Sequence, residues 1–176
     1  VEGRVDAWAA NAIGAANLAR VAAEFGLTLV HISTDYVFDG ELERAYREGD
    51  ALCPLGVYAQ TKAAADLAVG TAPRHYILRT SWVIGDGGNF VRTMASLAER
   101  GINPNVVDDQ VGRLTFTEEV VRGIRHLLDA RAPYGIYNLT GSGAVHSWAD
   151  IARRVFELTG HDPARVTGVS TDEYFA

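Results

Sequence analysis

Tyr58 and Lys62 stand four residues apart, and Thr34 lies upstream in the run Ser33-Thr34-Asp35-Tyr36-Val37-Phe38-Asp39-Gly40. A hydroxyl, a phenol and an ammonium are the groups needed to hold a carbonyl oxygen and hand it a proton. Residues four apart on a helix share a face, one turn from each other. A lysine so placed favours the ionised form of its tyrosine neighbour and makes the phenol a better proton donor and acceptor near neutral pH. An isolated phenol, with a pKa of about 10, is a sluggish acid there. A Tyr-x-x-x-Lys pair is by itself common on helix surfaces, so its meaning rests on the elements around it.

Those elements alternate. Asp6 to Phe25 reads as an alanine-rich helix with Trp8, Ile13, Leu18 and Val21 as its larger apolar residues, and Gly26 is placed to stop it. Leu27 to Ser33 reads as a short buried strand, with Ser33-Thr34 at its end. Ligands gather at the carboxyl ends of strands in open parallel sheets. After a polar loop from Asp39 to Leu52, Pro54-Leu55-Gly56-Val57 leads into the Tyr58 helix, which runs to about Gly70. Further strands are expected at His75–Val83, Asn105–Asp108 and Gly135–Leu139, with helices at Asn89–Arg100, up to about Ala130, and Ser147–Thr159. Thr115 and Glu118 have the spacing of a capping box, and Ser147 is a candidate cap. Alternating strands and helices argue an α/β fold with a mainly parallel sheet.

Several motifs occur in series: S-T-D-Y-V-F-D-G (Ser33 to Gly40), P-L-x-V-Y-x-x-x-K (Pro54 to Lys62) and L-R-T-S-W-V (Leu78 to Val83). N-F-V-R-T-M (Asn89 to Met94), V-x-D-Q-x-G (Val107 to Gly112) and G-x-Y-N-L-T-G-S-G (Gly135 to Gly143) follow. In these stretches and their order the chain resembles the extended, nucleotide-sugar branch of the short-chain dehydrogenase/reductase superfamily, and within it the dTDP-4-dehydrorhamnose reductase family. Gly56, Ala59, Ala64-Ala65-Asp66 and Leu114 depart from the residues usual there, and none of these removes a catalytic group.

The resemblance implies a partial Rossmann-like, doubly wound parallel sheet, lacking its first βαβ units, with a small C-terminal substrate-binding subdomain. Residues 1–85 would be the C-terminal part of the dinucleotide-binding domain. Residues 86–176 would be mostly sugar-nucleotide-binding, with 116–140 returning to the sheet. The implied reaction is NADPH- or NADH-dependent reduction of the 4-keto group of dTDP-4-dehydro-L-rhamnose, in cytoplasmic deoxysugar and polysaccharide biosynthesis. Tyr58 would be the general acid, Thr34 a hydrogen-bond donor to the developing oxyanion, and Lys62 a partner of both the tyrosine and the nicotinamide ribose. Ser33, Thr80, Ser81 and Asn11 are further cofactor-side candidates, Asn11 being also readable as a helix-surface amide. On the sugar side stand Asp35, Tyr36, Trp82, Asn89, Gln110 and Arg113. A strand tryptophan such as Trp82 is more often core than ligand contact, and Arg113 reads equally as a surface ion-pair residue. An arginine fork suits a diphosphate, and the free N–H groups at the Asn89 helix start suit a phosphate.

Composition bounds the alternatives. The chain has 176 residues, 48% hydrophobic and 22% charged, the balance of a globular domain. A net charge of −6 argues against a nucleic-acid partner. Cys53 is alone, so no internal disulfide forms, and the five histidines show no metal-ligand spacing. No apolar run approaches the ~18 residues of a membrane span. The glycines form neither G-x-G-x-x-G nor G-x-x-G-x-x-G, the turn that lets backbone approach a pyrophosphate. Relatives carry that turn ahead of the region matching Val1 and continue beyond Tyr174. The chain therefore reads as a fragment truncated at both ends and inactive alone, with a homodimer left open for the full-length protein. Two alternatives stand beside the rhamnose reductase: reduction of another nucleotide-linked 4-ketohexose, and a non-catalytic subunit resembling the regulatory subunit of methionine adenosyltransferase.

Overall fold

The computed structural model describes residues 3–176. Helical backbone runs from Arg4 to Glu24 as α1 (Arg4–Ala7), a π-helical stretch (Trp8–Ile13) and α2 (Gly14–Glu24). Then come β1 (Leu29–Thr34), a 3-10 turn (Asp35–Val37), α3 (Val57–Val69), β2 (His75–Thr80) and β3 (Val83–Ile84). Next are α4 (Phe90–Glu99), β4 (Asn105–Val107), β5 (Val111–Gly112), β6 (Thr115–Phe116) and α5 (Thr117–Asp129). The chain continues through β7 (Gly135–Asn138), β8 (His146–Ser147), α6 (Trp148–Leu158), β9 (Thr167–Val169) and α7 (Thr171–Phe175). Among the described residues no helix is long and apolar enough to cross a membrane.

The chain divides into two compact units. The first holds the described residues up to Ser81 together with Val120–Thr140. Its centre is a parallel three-stranded sheet in the order β1-β2-β7. Strand residues alternate between faces, and each face has its own cover. Leu29, Ile77 and Ile136 pack on Ala15, Ala19, Ala65, Val69 and Ala72, from α2, α3 and the turn after it. Val30, Tyr76, Leu78, Tyr137 and Leu139 pack on Ile124 and Leu127 of α5 and on Ala132. Helices on both faces of a parallel sheet make this an α/β, Rossmann-like layer arrangement. Burial of an Ile77 or Leu78 side chain contributes about 1.5–3 kcal/mol, and both are fully buried.

The helix–helix contact is made of small residues. α2 buries Ala15, Ala19 and Ala22 and leaves Leu18 exposed, so that its backbone approaches α3 closely. At its end Gly26 takes a positive φ of 62°, and the Leu27 N–H bonds the Ala22 carbonyl at 2.8 Å, the Schellman pattern. Two expectations change here. Leu27 lies outside β1 and is exposed, and Ile32 is exposed as well, because β1 lies at an edge of the described sheet. The strand expected over His75–Val83 breaks at Thr80: Trp82 has φ 42°, and Val83–Ile84 pairs instead with Thr115–Phe116 in the second unit.

That second unit comprises Trp82–Glu119 and Gly141–Ala176. Met94 and Ala98 of α4 pack with Ala149, Ile151, Ala152, Val155 and Phe156 of α6, with Val106 and Val166 beside them. Short two-stranded pairs, β3-β6 and β4-β9 parallel and β5-β8 antiparallel, surround this core. Ser147 caps α6 in a full capping box with Asp150: the Asp150 N–H donates to Ser147 Oγ at 3.0 Å, and the Ser147 N–H to Asp150 Oδ2 at 3.1 Å. The Thr115–Glu118 box does not form. Thr115 belongs to β6, where its hydroxyl accepts the Gly141 N–H, and it is Glu119 that reaches the Phe116 N–H at α5's start.

Candidate active site

In the first unit the proton-transfer candidates converge at the end of β1. Lys62, one turn beyond Tyr58 on α3, donates from Nζ to the Ile32 carbonyl at 2.5 Å. The Tyr58 ring meets Tyr36 edge-on, with centroids 6.3 Å apart and planes at 87°. α3 therefore runs against the β1 end so that residue 62 lies beside residue 32 and residue 58 beside residue 36. Thr34 sits midway between those two anchor points. Its hydroxyl donates to Asp35 Oδ1 at 3.2 Å and accepts the Tyr36 N–H at 3.3 Å, capping the 3-10 turn. Thr34 is buried, whereas Tyr58 and Tyr36 are exposed.

Register carries the strand ends into the same place. Thr34 stands opposite Thr80, and Ser33 opposite Arg79, which stands opposite Asn138. The Ser33 and Thr80 hydroxyls and the Asn138 side-chain oxygen are buried without a hydrogen-bond partner in the structure. By the register Ser33 and Asn138 share one face of the sheet with Arg79, and Thr80 takes the other. Buried polar atoms usually find partners, so these orphaned groups at the carboxyl end of the sheet fit polar ligand contacts there. Ser81, also buried, follows directly. Asn11 lies in the π-helical stretch, a feature frequent at functional sites. Its Nδ2 donates to Thr61 Oγ1 at 3.0 Å, and Thr61 donates to the Tyr58 carbonyl at 2.8 Å. The asparagine thus braces the first turn of α3, between the tyrosine and the lysine.

Burial governs the site's titration. It pulls the Lys62 amine below its ordinary range, with Asp66 acting in the opposite sense. It raises the Asp35 carboxyl, against the hydrogen bond from Thr34. His31 is lowered first by burial and then by the Lys62 charge, opposed by Asp66.

The remaining predicted residues belong to the second unit. Trp82 stacks on Trp148 at 3.8 Å with an 18° interplanar angle, and the ring lies so close to Gly112 that a Cβ there would stand 2.9 Å from it. Asn89 caps α4, accepting the Arg92 N–H at 3.0 Å and donating to the Gly85 carbonyl at 2.8 Å. Gln110 donates to Thr171 Oγ1 at 3.0 Å. Arg113 donates from Nε to the Gly143 carbonyl at 2.8 Å, and it lines an open cleft of about 390 Å³ with Leu114, Phe116, Ser142 and His146.

Residue-type reasoning overlooked a buried cluster behind Lys62. Asp66 Oδ2 accepts from Arg79 Nε at 3.0 Å, both side chains being almost fully buried, and His31 Nε2 lies 3.8 Å from Asp66 Oδ1. The signal was available: Tyr58, Lys62 and Asp66 are spaced i, i+4, i+8 on one helix face. Lys62 is also the only lysine among sixteen lysine and arginine residues.

A family model described as the RmlD substrate binding domain matches residues 2–176. The dTDP-4-dehydrorhamnose reductase of Mycobacterium tuberculosis is 39% identical over 175 residues, covering 96% of this chain and 57% of the relative. The dTDP-4-keto-6-deoxy-D-glucose reductase of Streptomyces niveus is 39% identical over 170 residues, covering 92% of this chain and 57% of that one. The crystal structure of dTDP-4-dehydrorhamnose reductase from Bacillus anthracis in complex with NADP superposes with a TM-score of 0.88 at 36% identity, covering 94% of this chain and 59% of that one. The chain thus spans a little over half the length of the curated relatives it matches.

Proposed function

The chain belongs to the RmlD substrate binding domain family, and on that premise we propose that it carries the proton-transfer half of an NADPH- or NADH-dependent reductase of dTDP-4-dehydro-L-rhamnose. The observation that carries the proposal is the bracketing of Thr34 by two contacts of α3, Lys62 on the Ile32 carbonyl and Tyr58 on the Tyr36 ring.

Bound NADPH or NADH supplies the hydride. As the sugar carbonyl is reduced its oxygen gains negative charge, and Thr34 Oγ, turning from Asp35, donates a hydrogen bond to it. Tyr58 gives the proton as general acid. The Lys62 ammonium stabilises the phenolate that remains, and it presents its other N–H groups to the ribose hydroxyls of the nicotinamide. Ser33 and Thr80, with unpartnered hydroxyls, and Ser81 beside them fit the nicotinamide end of the same cofactor. Asn11 holds the first turn of α3 through Thr61. Asp35 and Tyr36 flank the sugar. We assign Trp82, Asn89, Gln110 and Arg113 to the nucleotide-sugar side, Arg113 facing the diphosphate from its cleft, in residues 86–176, and residues 1–85 to the dinucleotide domain. A cytoplasmic setting follows from the same proposal, because the substrate is a soluble sugar nucleotide.

A second reading, reduction of a different nucleotide-linked 4-ketohexose, is favoured by the Streptomyces niveus relative's name. The test is a substrate panel offered, with NADPH, to a protein of the relatives' full length carrying this sequence. Formation of dTDP-L-rhamnose from dTDP-4-dehydro-L-rhamnose, faster than any other ketosugar is reduced, is expected. Preference for another ketosugar selects the second reading. No reduction of any, by a folded protein that binds the cofactor, selects a non-catalytic subunit.

A further inference from the structure

The charged groups around Lys62 form one connected set. On its own helix, Tyr58 stands one turn before it and Asp66 one turn after it. From β1, His31 lies next to Ile32, whose carbonyl takes the Lys62 N–H. From β2, Arg79 lies behind Asp66 and takes one carboxylate oxygen, Oδ2, at 3.0 Å. The other oxygen, Oδ1, has no hydrogen-bond partner and faces His31 Nε2 at 3.8 Å, which is also buried and unpartnered.

Asp66 and Arg79 sum to zero charge, but the pair has direction. The guanidinium holds one side of the carboxylate, and the free oxygen is turned towards the strand that anchors the lysine. We propose that Asp66 is a positioning residue for Lys62: fixed by Arg79 on one carboxylate oxygen, with His31 beside the other, it holds the Lys62 ammonium seated on the Ile32 carbonyl. The proposal rests on the role given to Lys62 above and goes beyond it in naming what sustains the charge. The sequence supports it in a further way. Arginine stays protonated wherever it is placed, whereas a buried lysine amine titrates readily. In a chain that otherwise uses arginine for every cation, the one lysine stands where a tunable amine is needed. Burial works against the ammonium, and Asp66 is the group that opposes burial.

A single lysine allows a direct measurement. In the chain labelled with [ε-13C]lysine, Lys62 gives one side-chain resonance, and its titration needs no assignment. Asp66→Asn retains an acceptor for Arg79 but removes the charge, and the Lys62 pKa is expected to fall by about one unit or more, the size of shift produced by an opposite charge within ~4–6 Å. Asp66→Glu is expected to restore most of it. An unchanged Lys62 pKa in folded Asp66→Asn overturns the proposal.

Should Asp66→Asn fail to fold, the double variant Asp66→Asn/Arg79→Gln, which leaves no lone buried charge, tests the same coupling. The Lys62 pKa is again expected to fall, because Asp66 stands one helical turn from the lysine and Arg79 lies behind it. An unchanged Lys62 pKa in the folded double variant overturns the proposal equally. In a protein of the relatives' full length carrying this sequence, Asp66→Asn is expected to move the alkaline loss of turnover to lower pH and to raise the KM for NADPH. Retention of turnover by Lys62→Met would instead remove the catalytic role of the lysine, a separate failure that leaves the measured coupling standing.

Discussion

Removing either half of the buried Asp66–Arg79 pair tests how the sheet and α3 are locked together. The two side chains are 2% and 3% exposed, and Arg79 has further partners: its Nη1 donates to the Glu48 carbonyl at 3.1 Å, and its guanidinium lies 5.2 Å from the Phe38 ring centroid. At about 4 Å between charge centres the attraction is about 4 kcal/mol for an effective dielectric near 20. Desolvation opposes it with several kcal/mol per ion, so the intact pair contributes little net. The situation differs once one partner is gone, because the survivor's desolvation is then uncompensated. Asp66→Ala and Arg79→Ala are each expected to destabilise the chain by about 3–5 kcal/mol. At about 2–4 °C per kcal/mol for a protein of this size, the melting temperature falls by roughly 6–20 °C. The assay is urea unfolding of both single variants and the double variant, closed as a double-mutant cycle. The double variant leaves no lone charge and is expected to lose less than the sum. As a control, the exposed Arg154–Glu157 pair, 62% and 59% exposed, is expected to give less than about 1 kcal/mol. Losses at Asp66 and Arg79 as small as that control, or additive in the cycle, would refute the reasoning.

Three further outcomes are expected. Gly141→Ala places a Cβ 2.1 Å from the Leu114 carbonyl oxygen, a backbone atom that cannot swing aside, and thermal unfolding is expected to show a loss of about 1–3 kcal/mol or more. Arg113→Ala is expected to weaken dTDP binding by about 1.5–3 kcal/mol, the range for a hydrogen bond to a charged group; an unchanged dissociation constant by calorimetry removes Arg113 from the diphosphate. His31 binds its proton less readily in the folded than in the unfolded chain, so stability present above the ordinary histidine value of 6.5 is lost as pH falls through the lowered folded value. His31→Gln is expected to flatten that limb of the stability-against-pH curve, and an unaltered slope would show that His31 is not its source.

Much of this architecture is legible in the residues. Alternating strand and helix patterns locate β1, α3, β2, α4, β7 and α6, and the Ser147 cap falls where a hydroxyl precedes an apolar helix. The Tyr58–Lys62 spacing and the Ser33–Thr34 strand end supply the site's outline. Features that depend on tertiary partners are not legible. Ile32 looks like core because its side chain is apolar, but exposure is decided by which strands flank β1. The run from His75 to Val83 looks like one strand because every residue suits one, and only the positive φ at Trp82 splits it. Thr115 has a cap's chemistry, but pairing with β3 claims it first. The π-helical stretch around Asn11 has no composition of its own, and the Asp66–Arg79 pair joins elements that a linear pattern does not connect.

The most direct measurement of the proposed function is the turnover of dTDP-4-dehydro-L-rhamnose with NADPH by a protein of the relatives' full length carrying this sequence with Tyr58→Phe. The ring and its edge contact with Tyr36 remain, and only the hydroxyl that carries the proton is removed. Turnover is expected to fall by about a hundredfold to ten-thousandfold, as for loss of a general acid, with the KM for the sugar nucleotide little changed. Turnover near that of the unaltered enzyme would contradict the assignment of Tyr58, and with it the proposed function.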